Sequence, residues 1–211
     1  MRVTKAIKAE QVRILSEVYA DVKPALEYNS PFELLVAVVL SAQCTDERVN
    51  IITKRLFPTY GRPEDMRAIG IPALERLIRD CGLYRAKAAN LHATCGILVE
   101  KYGGEVPKTF DELVELPGVG RKTANVLVSV LFGEPAIAVD THVFRVSNRL
   151  GLAKGETPLA VETGLQKAIP KSMWSDAHHW IIWHGRRVCK ARKPSCGECP
   201  LAEVCPSSGK V

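Results

Sequence analysis

At 211 residues the chain is long enough for one or two hydrophobic cores, and its 46% hydrophobic content excludes a disordered tail. A formal net charge of +6 and a sequence pI near 9.0 favour a polyanionic partner, although an excess this small also occurs on ordinary enzymes. No signal peptide, transmembrane run, repeat, low-complexity segment or long linker stands out, so the expectation is a cytoplasmic protein with no membrane partner.

Apolar periodicity is helical nearly everywhere, with no convincing alternating strand. The predicted helices begin with roughly Ala9 to Val22. A second opens at the capping box Ser30-Pro31-Phe32-Glu33 and runs to about Gln43, and a third covers Asp46 to Leu56. Pro72 to Cys81 and Arg85 to Tyr102 follow, then a helix opening at a second capping box, Thr109-Phe110-Asp111-Glu112. Helices from about Arg121, from Thr141 to about Leu150, from Thr157-Pro158 and from Met173 to Val188 complete the set. Short connectors throughout imply an all-α protein.

The most informative stretch is Leu116-Pro117-Gly118-Val119-Gly120-Arg121-Lys122-Thr123-Ala124. Pro117 stops the preceding helix, and Gly118 and Gly120 permit a tight backbone path with unobstructed N–H groups before a helix begins at about Arg121. A helix N-terminus carries partial positive charge and unpaired donors, so this turn would bind a phosphate without reading a base. A compact turn between packed helices is the plainer reading of Gly-x-Gly alone, while the longer string reads as a helix-hairpin-helix. Lys122 falls in the first turn, where the helix dipole and Arg121 disfavour its ammonium form, and a neutral amine is a nucleophile.

Asp140 follows the apolar run Ala136-Ile137-Ala138-Val139 and opens the helix from Thr141. It reads as an N-cap, as a catalytic carboxylate, or as both, because a capping carboxylate is rigidly aimed. The helix carrying His178, His179 and His184 lacks the His-Glu-x-x-His arrangement of a zinc site, and its aromatic face reads as core.

Four of the seven cysteines occur as Cys189-x6-Cys196-x2-Cys199-x5-Cys205. Close-set thiols in a reducing compartment mean a metal centre in preference to disulfides. Only Cys196 and Cys199 stand at knuckle spacing, which favours an iron-sulfur cluster but leaves zinc open. Cys44, Cys81 and Cys95 lie singly in apolar helical contexts. Arg186, Arg187, Lys190, Arg192 and Lys193 gather around Cys189, where they would meet a phosphate backbone or serve only as a solvated loop.

Together the hairpin string, the block Val139-Asp140-Thr141-His142-Val143 and the cysteine spacing resemble the endonuclease III family, across essentially all 211 residues. These are bacterial or archaeal bifunctional DNA glycosylases and AP lyases of the helix-hairpin-helix (HhH-GPD) superfamily. The resemblance implies a two-domain all-α fold: a six-helix domain over 23–134, with the hairpin at about 109–132, and a discontinuous cluster domain of 1–22 and 135–211. It implies a [4Fe-4S] cluster, mainly structural and DNA-contacting, on Cys189, Cys196, Cys199 and Cys205, with the cluster loop spanning 189–205. Lys122 and Asp140 become the catalytic pair, on opposite sides of an interdomain cleft that receives an extruded nucleotide.

By the same resemblance, Gln43 fills the gap left by the extruded base and Leu83 wedges against the opposite strand. Spacing alone makes Gln43 an exposed helix terminus and leaves Leu83 open to burial. Gly118, Gly120, Arg121, Lys190, Arg192 and Lys193 join them as DNA-binding residues, and Ser41, Asp46 and His142 line the lesion pocket. The implied function is base excision repair of oxidised pyrimidines in duplex DNA, through a lysine Schiff base and a nick 3′ to the abasic site, by a nucleoid-associated monomer. Monofunctional glycosylases for adenine or thymine mispairs compete, but those families commonly lack a lysine at the position of Lys122. A non-catalytic, redox-sensing DNA-binding module and a ferredoxin-like electron carrier explain fewer of the motifs.

Overall fold

The computed structural model describes residues 2–22 and 24–211. Among them every regular element is helical, as α-helices or short 3-10 turns. The chain folds as two units, one made of Met1–Lys23 with Gly133–Val211 and the other of Pro24–Phe132.

Pro24–Phe132 is built around α2 (Pro31–Ser41), in which Phe32 to Leu40 are all buried. A helix apolar on every side can only lie inside a core. Around it pack α3 (Asp46–Tyr60), α6 (Tyr84–Tyr102) and α8 (Arg121–Phe132), burying Ile52, Leu56, Leu91, Leu98 and Leu127. The start of α2 is fixed by Ser30, whose Oγ accepts from Glu33 N–H at 3.1 Å. Glu33 reaches back one residue further than a capping box would, accepting from Asn29 N–H at 2.6 Å.

The unit also holds α4 (Pro63–Ala68), α5 (Gly70–Leu77) and α7 (Phe110–Val114). Helix α4, which the periodicity does not predict, carries Pro63 at its first position and Glu64 and Asp65 in its first turn. Six residues are too few to display a repeating apolar face. Where Pro72 to Cys81 is expected, α5 starts earlier and ends at Leu77.

The other unit joins α1 (Lys5–Val18) to α9 (Thr141–Leu150), α10 (Pro158–Ala168) and α11 (Trp174–Arg187), around Leu15, Val143, Val146, Leu165, Ile181 and Leu201. Helix α1 begins four residues before the predicted Ala9, because Thr4 caps it by accepting from Ile7 N–H. Fully buried Gln11 on α1 donates through Nε2 to Leu150 O at 2.9 Å and Val204 O at 2.8 Å. One amide thus ties the first helix to the end of α9 and to the last turn of the cysteine loop. Leaving those carbonyls unpaired in the interior would cost about 1–3 kcal/mol each.

Candidate active site

In the Pro24–Phe132 unit the chain turns between α7 and α8 through Glu115 to Gly120. Val119 N–H donates to Leu116 O at 3.0 Å, and Gly118 sits at φ 81, a region that strains any residue with a Cβ. A Cβ there would also lie 3.0 Å from the Asn90 Cβ. At Gly120 the corresponding space is empty. Helix α6 supports the turn from behind, with Thr94 Oγ1 donating to Pro117 O at 2.9 Å. The Arg121 guanidinium lies 5.1 Å from the Phe110 ring centroid and bridges the two hairpin helices. Lys122, half-buried, is the second residue of α8. Neither Asn90 nor Thr94 is flagged by the sequence, because their role depends on tertiary contact with a turn far along the chain.

Two exposed tips of the same unit carry strained backbone. Gln43, between α2 and α3, has φ 55, and Leu83, between α5 and α6, has φ 57. A left-handed leucine is rare and costs about 1–3 kcal/mol. Leu83 is also 58% exposed, so no burial compensates for its conformation. The tips are packed together, since a Cβ on Gly82 would stand 2.9 Å from Gln43 O. Ser41 and Asp46 flank Gln43 in sequence, the Ser41 hydroxyl donating to Val38 O at 2.8 Å. Cys44 lies in the α2–α3 turn and not in the apolar helical context expected of it.

In the other unit Asp140 is the N-cap of α9, with extended backbone (φ −95, ψ −173), and its Oδ1 accepts from Val143 N–H at 2.7 Å. The preceding segment is buried from Ala136 to Val139. His178 Nδ1 lies 2.7 Å from Ala138 O. A carbonyl only accepts, so that nitrogen carries the proton. His142, two residues beyond Asp140, lies 3.1 Å through Nδ1 from Arg145 Nη2. A guanidinium only donates, which places the proton of a neutral His142 on Nε2. Burial holds its pKa below the ordinary imidazole value, opposed by the charge of Asp140.

The same unit brings Cys189, Cys196, Cys199 and Cys205 to line one cavity, with His184 at its wall. Burial pushes the Cys199 and Cys205 thiols up, and the neighbouring cysteines add to the effect, so thiolates gathered here call for a cation among them. Among the described residues no three His, Cys, Asp or Glu side chains stand close enough to share a single ion. Thiolates on one tetrahedral zinc would be about 3.8 Å apart. Four cysteines around one cavity supply the ligand set of a four-cysteine iron-sulfur cluster.

Helix α9 fastens the cysteine loop through arginines that spacing does not identify. Arg145 donates to Cys189 O at 3.1 Å and Gly185 O at 2.9 Å. Arg149 donates to Lys190 O at 2.7 Å and Ala191 O at 3.0 Å, with Nη1 3.5 Å from Cys189 Sγ. The signal for them is one helical face, His142, Arg145 and Arg149, turned toward a loop distant in sequence. Just beyond α1, Tyr19 Oη meets His184 Nδ1 at 3.0 Å, and His184 Nε2 lies 3.8 Å from Cys199 Sγ, an outer layer that orients the thiol. Lys190, Arg192 and Lys193 are exposed, as is Arg187, whose guanidinium lies 4.5 Å from the Trp183 ring centroid. No described helix is long and apolar enough to cross a membrane.

Residues 36–171 match the HhH-GPD superfamily base excision DNA repair protein, and residues 189–205 match the iron-sulfur binding domain of endonuclease III. The helical fold and its hairpin therefore define a base excision repair glycosylase of that superfamily. Endonuclease III of Bacillus subtilis is 53% identical over 192 residues, covering 90% of this chain and 88% of the relative. Endonuclease III of Rickettsia conorii is 50% identical over 203 residues, covering 94% of this chain and 97% of the relative. A solved structure of a trapped endonuclease III–DNA covalent intermediate, an estranged-adenine complex, aligns with a TM-score of 0.95 at 51% identity over 98% of each chain. The chain belongs to the endonuclease III family, DNA glycosylases with AP lyase activity that carry a [4Fe-4S] cluster.

Proposed function

We propose that this glycosylase and AP lyase removes oxidised pyrimidines from duplex DNA, with Lys122 as nucleophile and Asp140 as its carboxylate partner. The observation that carries the assignment is Lys122 in the first turn of the hairpin helix α8. A base within a duplex is out of reach, so the damaged nucleotide is extruded first, and lesions that stack or pair poorly cost least to extrude. Neutral Lys122 Nζ attacks C1′ of the deoxyribose. The bond from C1′ to the base breaks, its electron pair leaves with the base, and the sugar opens to a protonated Schiff base. Asp140 assists by taking the proton that the attacking amine sheds and by stabilising positive charge on the sugar. Loss of a C2′ proton then expels the 3′ phosphate by β-elimination and nicks the strand, and water releases Lys122.

The remaining roles follow the same assignment. Gln43 fills the vacated position and Leu83 wedges against the opposite strand, supported by their exposure and strained backbones. Gly118, Gly120 and Arg121 bind phosphate at the hairpin, and Lys190, Arg192 and Lys193 bind it at the cysteine loop. Ser41, Asp46 and His142 contact the extruded base. Cys189, Cys196, Cys199 and Cys205 ligate the cluster, which serves mainly to hold that loop in shape. Residues 23–134 form the hairpin domain and residues 1–22 with 135–211 the cluster domain. The protein acts as a monomer on cytoplasmic, nucleoid DNA.

The test is a panel of duplexes carrying a single thymine glycol, a thymine mispair or an adenine mispair. Excision with a strand nick at thymine glycol is expected. Processing of a mispair with thymine glycol left intact would overturn the lesion assignment.

A further inference from the structure

A lysine that the chemistry above does not use lies at the root of both strained tips. Lys87, the fourth residue of α6, is only 5% exposed. Its Nζ donates to Leu40 O, in the last turn of α2, at 2.8 Å and to Ala42 O, just beyond that helix, and lies 3.0 Å from Cys81 Sγ. Cys81 in turn donates to Leu40 O at 3.2 Å. An ammonium has three donors and here finds three acceptors, at a helix C-terminus whose carbonyls lack intrahelical partners and whose dipole favours a cation. Meanwhile the backbone N–H of Lys87 donates to Leu83 O at 3.1 Å. Ala42 directly precedes Gln43. One residue therefore grips the chain beside Gln43 with its side chain and Leu83 itself with its backbone, while Gly82 seats against Gln43 O.

We propose that Lys87 is a positioning residue for base extrusion: it holds the Gln43 and Leu83 tips at one fixed separation, so that both enter the duplex together. The inference rests on the gap-filling and wedging roles assigned above. The strain at the two tips persists only where the surroundings over-determine it, and a buried ammonium saturated by the two loops provides that determination. Without it, the end of α2 and its turn lose two bonds that hold the chain beside Gln43, and the tie through Cys81 to the segment carrying Leu83 is lost as well.

The test compares two substrates under single-turnover conditions: excision of thymine glycol from a duplex, and β-elimination at an abasic site in a single-stranded oligonucleotide. The second substrate has no stack to invade. Lys87→Met, of similar length but without donors, should lose about 100-fold on the duplex, the scale of a 1 Å misplacement. Its loss on the single strand should be far smaller, and the fluorescence of 2-aminopurine opposite the lesion should rise less on binding. Parallel losses on both substrates, or no loss on the duplex, would overturn the proposal. Should Lys87→Met fail to fold, Lys87→Gln, which keeps amide donors at shorter reach, carries the same comparison. The combined Gln43→Ala and Leu83→Ala variant separates the two layers of the argument. It should show the duplex-specific loss by itself, with Lys87→Met adding little. If it shows no such loss, the roles of Gln43 and Leu83 fall and this inference with them. A full additional loss from Lys87→Met would leave those roles standing and reject Lys87 as their positioner.

Discussion

In the proposed mechanism one carboxylate, Asp140, serves fold and chemistry together. Its Oδ1 holds Val143 N–H at 2.7 Å, and that bond fixes the carboxylate at the head of α9. Asn caps about as well as Asp, so Asp140→Asn should melt within about 0.5 kcal/mol of the parent while excision falls about 100-fold or more. Asp140→Ala should lose about 1 kcal/mol of stability as well. An Asn variant with full activity would reduce Asp140 to a cap. His142 gives a pH prediction. Its folded pKa is held below 6.5 by burial, so between that lowered value and 6.5 the unfolded chain binds a proton that the folded chain resists. The stability is complete above about pH 6.5 and is lost as the pH falls below it. Chemical denaturation from about pH 7.5 to about pH 5 should show this loss in the parent and a shallower one in His142→Asn. Equal slopes would place the acid sensitivity elsewhere.

At the scale of elements, the hairpin turn allows binding to be separated from folding. Gly118→Ala meets both positive φ and Asn90, and should cost about 1–3 kcal/mol of stability. Gly120→Ala meets nothing in the fold, so its melting should barely change, while DNA affinity falls because a methyl now stands where a phosphate must approach. Filter binding and thermal melting of the two variants check this; unchanged affinity for Gly120→Ala would remove that residue from the interface. Helices that open on a local signal are legible from sequence: Ser30, Thr109, Asp140 and Thr157 all cap helices that begin where predicted. Helix α4 escapes such reading because six residues carry no period, and α1 starts earlier than its apolar pattern because Thr4 precedes a polar stretch. The left-handed backbones of Gln43 and Leu83 leave no mark in residue type, since tertiary bonds such as those of Lys87 impose them.

Across the whole molecule, the candidate site residues are more legible than their support. The lysine after the glycine turn, the aspartate after an apolar run and the cysteine spacing are local strings that the sequence displays directly. Their supports come from elsewhere in the chain: Thr94 and Asn90 behind the hairpin, Arg145, Arg149 and His184 around the cysteines, Gln11 joining the first helix to the last loop. Such contacts depend on packing that no short string encodes. The chain belongs to a family of glycosylase-lyases, and the mechanism proposed for it requires Lys122 to form the covalent bond to the sugar. Borohydride reduction during reaction with a duplex carrying one thymine glycol tests this most directly, with the parent and Lys122→Gln run side by side on a denaturing gel. A trapped protein–DNA adduct is expected from the parent, mapping by peptide digestion to Lys122, and none from the variant. An adduct of equal yield from Lys122→Gln, or one mapping to another amine, would contradict that mechanism.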